Sequence, residues 1–345
     1  MDINNLFQVA ATKQASDLHL VVGLKPYLRI DGALVTLDNE PTITRQNIEE
    51  QTYSLLTPAQ KERLKNNLEL DVAYAASNGS RFRVNVHYEK GNLGLVARII
   101  LNQIPSLESI DMPKVTYNLL RLQQGLILVT GPTGCGKSTA LAAMIEHINS
   151  EQNRNIITLE DPIEFIFKPK KSIVIQRELG NDILSFQAGL KHIVRQDPDV
   201  IMVGEMRDLE TIAATITLAE TGHLVLATLH TYSAAQTVDR IIDIFPPYQQ
   251  AQVKQQLSSV LSAIISQRLV PKVKGGRVAA REVLINTPAV ANLIRENKLA
   301  QISTVIETNN KIGMVSMDKA LKNLYKDGLI SKGDMELYST DITLD

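Results

Sequence analysis

One stretch constrains this chain more than any other, residues 126–139, LILVTGPTGCGKST. An apolar run, Leu126-Ile127-Leu128-Val129, ends at Thr130. Gly131-Pro132-Thr133-Gly134-Cys135-Gly136-Lys137-Ser138 then satisfies G-x-x-x-x-G-K-[ST] at every fixed position. Residues 139–148 follow with Leu141, Met144, Ile145 and Ile148 at helical spacing. Strand, glycine-rich turn and helix in that order define a phosphate-binding loop. Glycines let the backbone wind so that successive N–H groups point at an anion, and the helix N-terminus adds partial positive charge. Lys137 is placed to reach the β- and γ-phosphates of a nucleotide and the Ser138 hydroxyl to ligate Mg²⁺, with Thr139 completing the set at the helix start.

Composition supports a globular chain of more than one domain. At 345 residues, about 150 per domain suggests two. The hydrophobic fraction of 44% and charged fraction of 21% suit a chain with a large core. A formal charge of −1 gives no reason to expect nucleic acid as a partner. A single cysteine, Cys135, excludes a disulfide framework and a four-cysteine zinc site, and fits a reducing compartment. MDINNLFQVA lacks the basic and apolar regions of a signal peptide, and no apolar run approaches the ~18 residues of a membrane span. The expectation is a cytoplasmic protein that meets a membrane through a partner.

Residues 17–22 (DLHLVV) and 27–30 (YLRI) read as strands around a Gly23-Leu24-Lys25-Pro26 turn. Residues 44–56 and 57–68 read as helices, the second opened by Thr57-Pro58. Residues 81–88 alternate strictly. Phe82, Val84, Val86 and Tyr88 face one way, and Arg81, Arg83, Asn85 and His87 the other. A turn at Lys90-Gly91-Asn92 leads into a strand over 95–101. These elements form a small α+β domain, with a proline-bearing junction after it. Arginines on a polar strand face are ordinarily solvated. The alternative is contact with a nucleotide on a neighbouring subunit, since guanidinium suits phosphate oxygens. The strand alone leaves both open.

Beyond the loop, residues 155–159 form another strand, followed by Glu160-Asp161-Pro162-Ile163-Glu164. Carboxylates just past the end of a parallel strand lie where an α/β sheet binds its ligand, and one near the γ-phosphate can orient water. A turn rich in Asp and Pro explains the same residues. In residues 199–205 an apolar strand delivers Glu205 toward Mg²⁺, with Gly204-Glu205 where Asp-Glu is commoner. A helix over 209–219 and a strand over 224–229 follow, ending at His230, a candidate γ-phosphate sensor or simply a residue satisfied by its neighbours. The order of strands, helices and acids gives a P-loop α/β domain.

With these residues in hand, the chain resembles the secretion-superfamily ATPases and, within them, the type IV pilus retraction motors of twitching motility. The resemblance spans nearly the whole sequence. It is carried by ASDLHL (15–20), RFRVN (81–85), the phosphate loop, ITLEDPIEF (157–165), DPDVIMVGEMRDLET (197–211), AETGHLV (219–225), TLHT (228–231), ISQRL (265–269) and NLIRE (292–296). It implies a RecA-like ATPase core preceded by a PAS-like N-terminal domain. The expected division is 1–101 N-terminal domain, 102–123 linker, 124–285 ATPase core and 286–345 C-terminal helical region. It implies Glu164 as the catalytic glutamate, Glu205 as the Walker B acid, and His223 with His230 as a histidine box near the γ-phosphate and the domain interface. Arginine fingers map onto Arg83 and Arg98, with Arg81 a weaker candidate.

The resemblance further implies a homohexameric Mg²⁺-ATPase that works through an inner-membrane platform protein, peripheral to the cytoplasmic membrane, with a paralogous retraction ATPase as an additional partner. Pilus-assembly and type II secretion motors usually carry a tetracysteine insertion and a longer N-terminal region. Neither is present here, which together with NLIRE points to the retraction branch. An accessory retraction motor or an assembly ATPase are the alternatives. Three positions depart from the family pattern: Ala291 in place of arginine, Cys135 in place of serine, and Gln196 in place of glutamate. The Cys135 thiol makes the loop sensitive to oxidation only if it is exposed and its pKa depressed. In the tail, residues 288–295 and 317–326 read as helices, the latter with a core-packing stripe of Met317, Ala320, Leu321, Leu324 and Tyr325. Lys272-Val273-Lys274-Gly275-Gly276-Arg277 reads as a solvated basic turn.

Overall fold

A computed structural model describes residues 2–30, 32–76, 79–100 and 103–339. The chain divides into two compact units, Met1–Gln103 with Pro162–Ile166, and Ile104–Asp161 with Phe167–Asp345.

The first unit begins with α1 (Ile3–Thr12), followed by β1 (Asp17–Leu20), β2 (Tyr27–Ile30) and β3 (Ala33–Thr36). Two helices, α2 (Arg45–Leu55) and α3 (Pro58–Asn67), precede β4 (Glu69–Ala75), β5 (Arg81–Glu89) and β6 (Asn92–Ile100). The strands form one sheet in the order β3-β2-β1-β6-β5-β4, all neighbours antiparallel. The alternation in β5 has the expected outcome, with Phe82, Val84 and Val86 fully buried. Phe82 stacks on Phe7 of α1 at 4.4 Å between ring centroids, and Tyr74 of β4 reaches the same ring at 5.3 Å. Both helices start where the sequence places them, because Thr44 accepts from Asn47 N–H and Thr57 forms a capping box with Gln60. The first strand stops at Leu20 rather than Val22, as the chain turns through Gly23 at φ 85°. The last begins at Asn92, directly after the turn.

In the second unit, α4 (Val115–Leu119) leads to β7 (Gly125–Thr130), α5 (Lys137–Glu151), β8 (Asn155–Glu160), β9 (Ile173–Glu178) and α6 (Phe186–Ile193). Next come β10 (Val200–Val203), α7 (Leu209–Glu220), β11 (Leu224–Leu229), α8 (Ala234–Asp243) and α9 (Pro247–Val260). The long hairpin β12 (Leu261–Pro271) and β13 (Arg277–Ile285) is followed by α10 (Pro288–Arg295), α11 (Ile302–Thr308), α12 (Met317–Lys326) and α13 (Lys332–Tyr338). The sheet runs β13-β12-β7-β11-β10-β8-β9, parallel throughout except for the antiparallel edge strand β13. Every residue of β7, β10 and β11 is buried, as expected for parallel strands covered on both faces. The hairpin β12–β13 carries no sequence alternation because β12 is buried on both sides over most of its length. The stripe on α12 packs as a core face, with Met317 and Leu321 buried against Val270, Val278 and Ala280. The basic segment 272–277 is the exposed hairpin turn.

Candidate nucleotide site

The phosphate loop follows β7 and ends at the first residue of α5. Three of its glycines occupy left-handed backbone, at φ 144° for Gly131, 75° for Gly134 and 88° for Gly136. At Gly131 the requirement is also spatial. A Cβ there would lie 2.3 Å from the Gln267 carbonyl oxygen and 2.6 Å from Cys135 Sγ, so β12 passes too close for any side chain. Lys137 is buried at the start of α5, and its Nζ donates to the carbonyls of Gly131 at 2.8 Å and Pro132 at 3.0 Å. A histidine at the end of a neighbouring strand meets it, and a carboxylate from the next strand meets that histidine. His230, just past β11, has Nδ1 3.4 Å from Lys137 Nζ and 3.4 Å from Thr133 Oγ1. Its Nε2 lies 3.0 Å from Glu205 Oε1, just past β10. The other oxygen, Glu205 Oε2, accepts from Arg207 at 2.8 Å. Because β7, β11 and β10 are adjacent and parallel, their carboxyl ends bring a lysine, a histidine and a carboxylate to one edge of the sheet.

Burial by itself would raise the Glu205 carboxyl, but Arg207, with help from His230 and Lys137, holds it below the usual range and keeps it ionised. Cys135 goes the other way. It is buried, and burial pushes its thiol up against the pull of Lys137, so neither condition for an oxidation-sensitive loop is met. Beside the loop lies a cavity of about 400 Å³. Residues 132–135 line one side of it and Arg268, Leu269, Arg277 and Tyr338 the other.

The family model for Type II/IV secretion system protein matches residues 1–320. The chain belongs to that family. The Type IV pilus retractation ATPase PilT of Pseudomonas aeruginosa is 45% identical over 332 residues, covering 96% of each chain. The Type IV pilus ATPase PilU of the same organism is 39% identical over 335 residues, 97% of this chain and 87% of the relative. A crystal structure of the pilus retraction motor PilT with bound ADP superposes with a TM-score of 0.93, at 45% identity, over 99% of this chain and 98% of the other. This family member is accordingly a P-loop ATPase of the pilus-retraction kind, with an α+β N-terminal unit ahead of its ATPase fold.

The remaining residues singled out by the family resemblance do not all gather at the loop. His223 precedes β11 whereas His230 follows it, so the strand's length separates them, roughly 20 Å at 3.3 Å per residue. The His223 ring nitrogen Nδ1 sits 2.9 Å from the Leu218 carbonyl and 3.3 Å from Thr221 Oγ1, at the amino end of the sheet. The structure does not bring it to the phosphate loop of its own chain. Glu164 lies in Pro162–Ile166, the short segment that groups with the first unit, as do all three arginines. Within that unit Arg83 and Arg98 stand directly opposite one another on β5 and β6. Two like charges in that position repel, and each has an acid beside it. Arg98 Nε donates to Asp17 at 2.8 Å, and Arg83 Nε lies 3.7 Å from Asp71. Arg98 is 71% exposed at its side chain and Arg83 41%, so both guanidinium groups remain open to solvent. Arg81 Nη1 is buried and finds no partner among the described residues.

Sequence reasoning listed Glu160 among the carboxylates after β8 but gave no individual role to it or to Arg207. Arg207 holds Glu205. Glu160, the last residue of β8, is buried and accepts from Thr158 Oγ1 at 2.6 Å and Gln176 at 3.0 Å. Its pattern, an apolar run ending in an acid, is the one that singled out Glu205. Gln267 was named only as part of ISQRL, and Arg281 was not singled out at all.

Proposed function

We propose that this protein is a Mg²⁺-ATP-driven motor that retracts type IV pili. It would act as a homohexameric ring on an inner-membrane platform protein at the cytoplasmic face of the membrane. The observation that carries this reading is similarity over nearly the full length to a pilus retraction ATPase, joined to a phosphate loop whose lysine meets a strand-end histidine that in turn meets an ionised carboxylate. The domains would be 1–101, a linker over 102–123, the ATPase core over 124–285 and a helical region over 286–345, with turnover moving the first against the core.

The chemistry follows from named side chains. The loop of Gly131, Pro132, Thr133, Gly134, Cys135 and Gly136, through backbone N–H groups of its non-proline residues, with Lys137, Ser138 and Thr139 at the helix start, would cradle the β- and γ-phosphates. The cavity beside residues 132–135 would take the nucleoside. Ser138 and Glu205 would hold Mg²⁺, and the donor set fits, since a hydroxyl and an ionised carboxylate are hard oxygen ligands. Among the described residues no group of three or more His, Cys, Asp or Glu could hold a metal alone, as suits an ion completed by substrate phosphates. The ion would neutralise charge on the phosphate oxygens. Glu164 would orient the attacking water. His230, between Lys137 and Glu205, would report the γ-phosphate. Arg83 and Arg98, with Arg81 behind them, would reach the nucleotide of a neighbouring copy. His223, far from the loop of its own chain, would act at a subunit boundary if it acts on nucleotide at all.

Deletion of the gene in its host, with surface pili counted by electron microscopy, tests the reading. Abundant pili on non-motile cells are expected. Bald cells would make it an assembly motor. Unchanged pili with altered motility would favour an accessory motor working with a paralogue, a second reading supported by the full-length similarity to PilU. Absence of phosphate release from purified protein would retire the enzyme.

A further inference from the structure

A line of buried hydrogen bonds runs from the phosphate loop to residues 110–111. Gln267 of β12 is 1% exposed, and its Nε2 donates to the Cys135 carbonyl at 2.7 Å. Its own carbonyl oxygen is the atom that leaves no room for a side chain at Gly131. Gln267 therefore touches the loop at both ends, once through its backbone and once through its side chain. Directly opposite on β13 stands Arg281, 7% exposed, whose Nε donates to Gln267 Oε1 at 3.2 Å. Its Nη1 donates to two successive carbonyls, Ile110 at 2.8 Å and Asp111 at 3.1 Å. Asp111 has φ 52°, an uncommon value for a residue with a side chain. That turn is closed by Asp111 N–H on Glu108 and Met112 N–H on Leu107.

This is an expensive way to join two strands. Among the described residues no carboxylate lies in hydrogen-bond contact with the buried guanidinium, and burial lowers Arg281 to about 10 despite the pull of Asp111. Burying a cation against carbonyls and an amide adds little stability that apolar side chains would not supply. What it supplies is geometry, because a planar fork fixes the direction of each acceptor. Residues 104–114 open the second unit, immediately after the first unit ends at Gln103.

We propose that Gln267 and Arg281 are positioning residues that lock the phosphate loop to residues 104–114, so that nucleotide binding at the loop and the conformation of that segment are coupled. The inference rests on the reading of residues 131–138 as the nucleotide site. Coupling is reciprocal, so whatever displaces the segment weakens nucleotide binding by the same factor.

Hydrogen exchange on the full-length protein, with and without saturating ADP, tests it. In the parent protein ADP should slow exchange at the Asp111 and Met112 amides as well as in the loop and α5. In Gln267→Leu, at ADP levels that still saturate, loop protection should persist while protection at 111–112 falls by about tenfold. Arg281→Lys keeps one donor for the segment without spanning to Gln267, and should give an intermediate loss. It also serves if Gln267→Leu fails to fold. Undiminished protection at 111–112 in the folded variants overturns the proposal. So does a parent protein that binds ADP without protecting them. A parent protein that does not bind ADP at all would instead overturn the nucleotide site.

Discussion

The phosphate loop and the arginine face of the first unit are built on different principles. The loop is nearly complete within its own unit. Lys137, His230 and Glu205 converge because adjacent parallel strands end at one edge, and each has its partners there. The arginine face is arranged in the opposite way. Arg83 and Arg98 stand opposite each other, balanced by Asp71 of β4 and Asp17 of β1 on the two flanking strands while their guanidinium groups stay open to solvent. Two opposed cations on one sheet repel, and solvent screening leaves each exposed Arg–Asp pair worth only about 0–1 kcal/mol. The contrast teaches that the groups at the loop find their partners within their own fold, whereas the two arginines keep exposed guanidinium groups with one acid beside each.

Removing the centre of the loop should give the largest effect. Lys137→Ala is expected to lower steady-state phosphate release by about 1000-fold and to abolish binding of a fluorescent ATP analogue. Retained binding would show that the loop's backbone alone suffices. Glu164→Gln should preserve that binding and slow hydrolysis by ~100-fold or more, seen in single-turnover assays. A normal rate would remove Glu164 from the chemistry and turn attention to Glu160. The arginine face should respond only in the assembly. Arg83→Ala and Arg98→Ala are each expected to lower turnover by about 100-fold in rings sized by light scattering, with no change in the residual rate of dilute monomer. Equal loss in both states would erase the contrast drawn here.

The smallest effect concerns pH. Burial alone would raise the Asp17 carboxyl, but Ser16 and Arg98 hold it below its ordinary range. A depressed folded pKa gives stability that is present above the unfolded value and lost as pH falls through the folded one. Urea midpoints measured from pH 6 to pH 3 should therefore fall less steeply in Arg98→Ala than in the parent, by a few tenths of a kcal/mol to about 1 kcal/mol. Parallel curves would mean that the pair contributes only orientation.

Much of this was legible in the residues. The glycine loop is contiguous, so its chemistry shows in a single line of sequence. The strands bearing Glu205 and His230 announce themselves as apolar runs ending in a polar residue, and the Thr44 and Thr57 caps place two helices to the residue. The hairpin β12–β13 was not legible, because strands buried on both faces carry no period that separates them from other apolar segments. The strand read over 224–229 already separates His223 from His230, and the structure places His223 before β11 and His230 after it.

The sequence by itself determined the parts that depend on neighbours along the chain. These are the phosphate loop with Lys137 and Ser138, the helix caps, and the alternation that sets Phe82, Val84 and Val86 against Arg81 and Arg83. The tertiary structure alone decided what depends on strand order and register. It set β11 between β7 and β10, so that His230 reaches both Lys137 and Glu205, and it laid Gln267 against Gly131 and opposite Arg281. The physical reason is range. Backbone conformation and capping are settled within a few residues, whereas strand order and register join residues such as Gln267 and Cys135, 132 positions apart, and only the packed sheet brings them into hydrogen-bond distance.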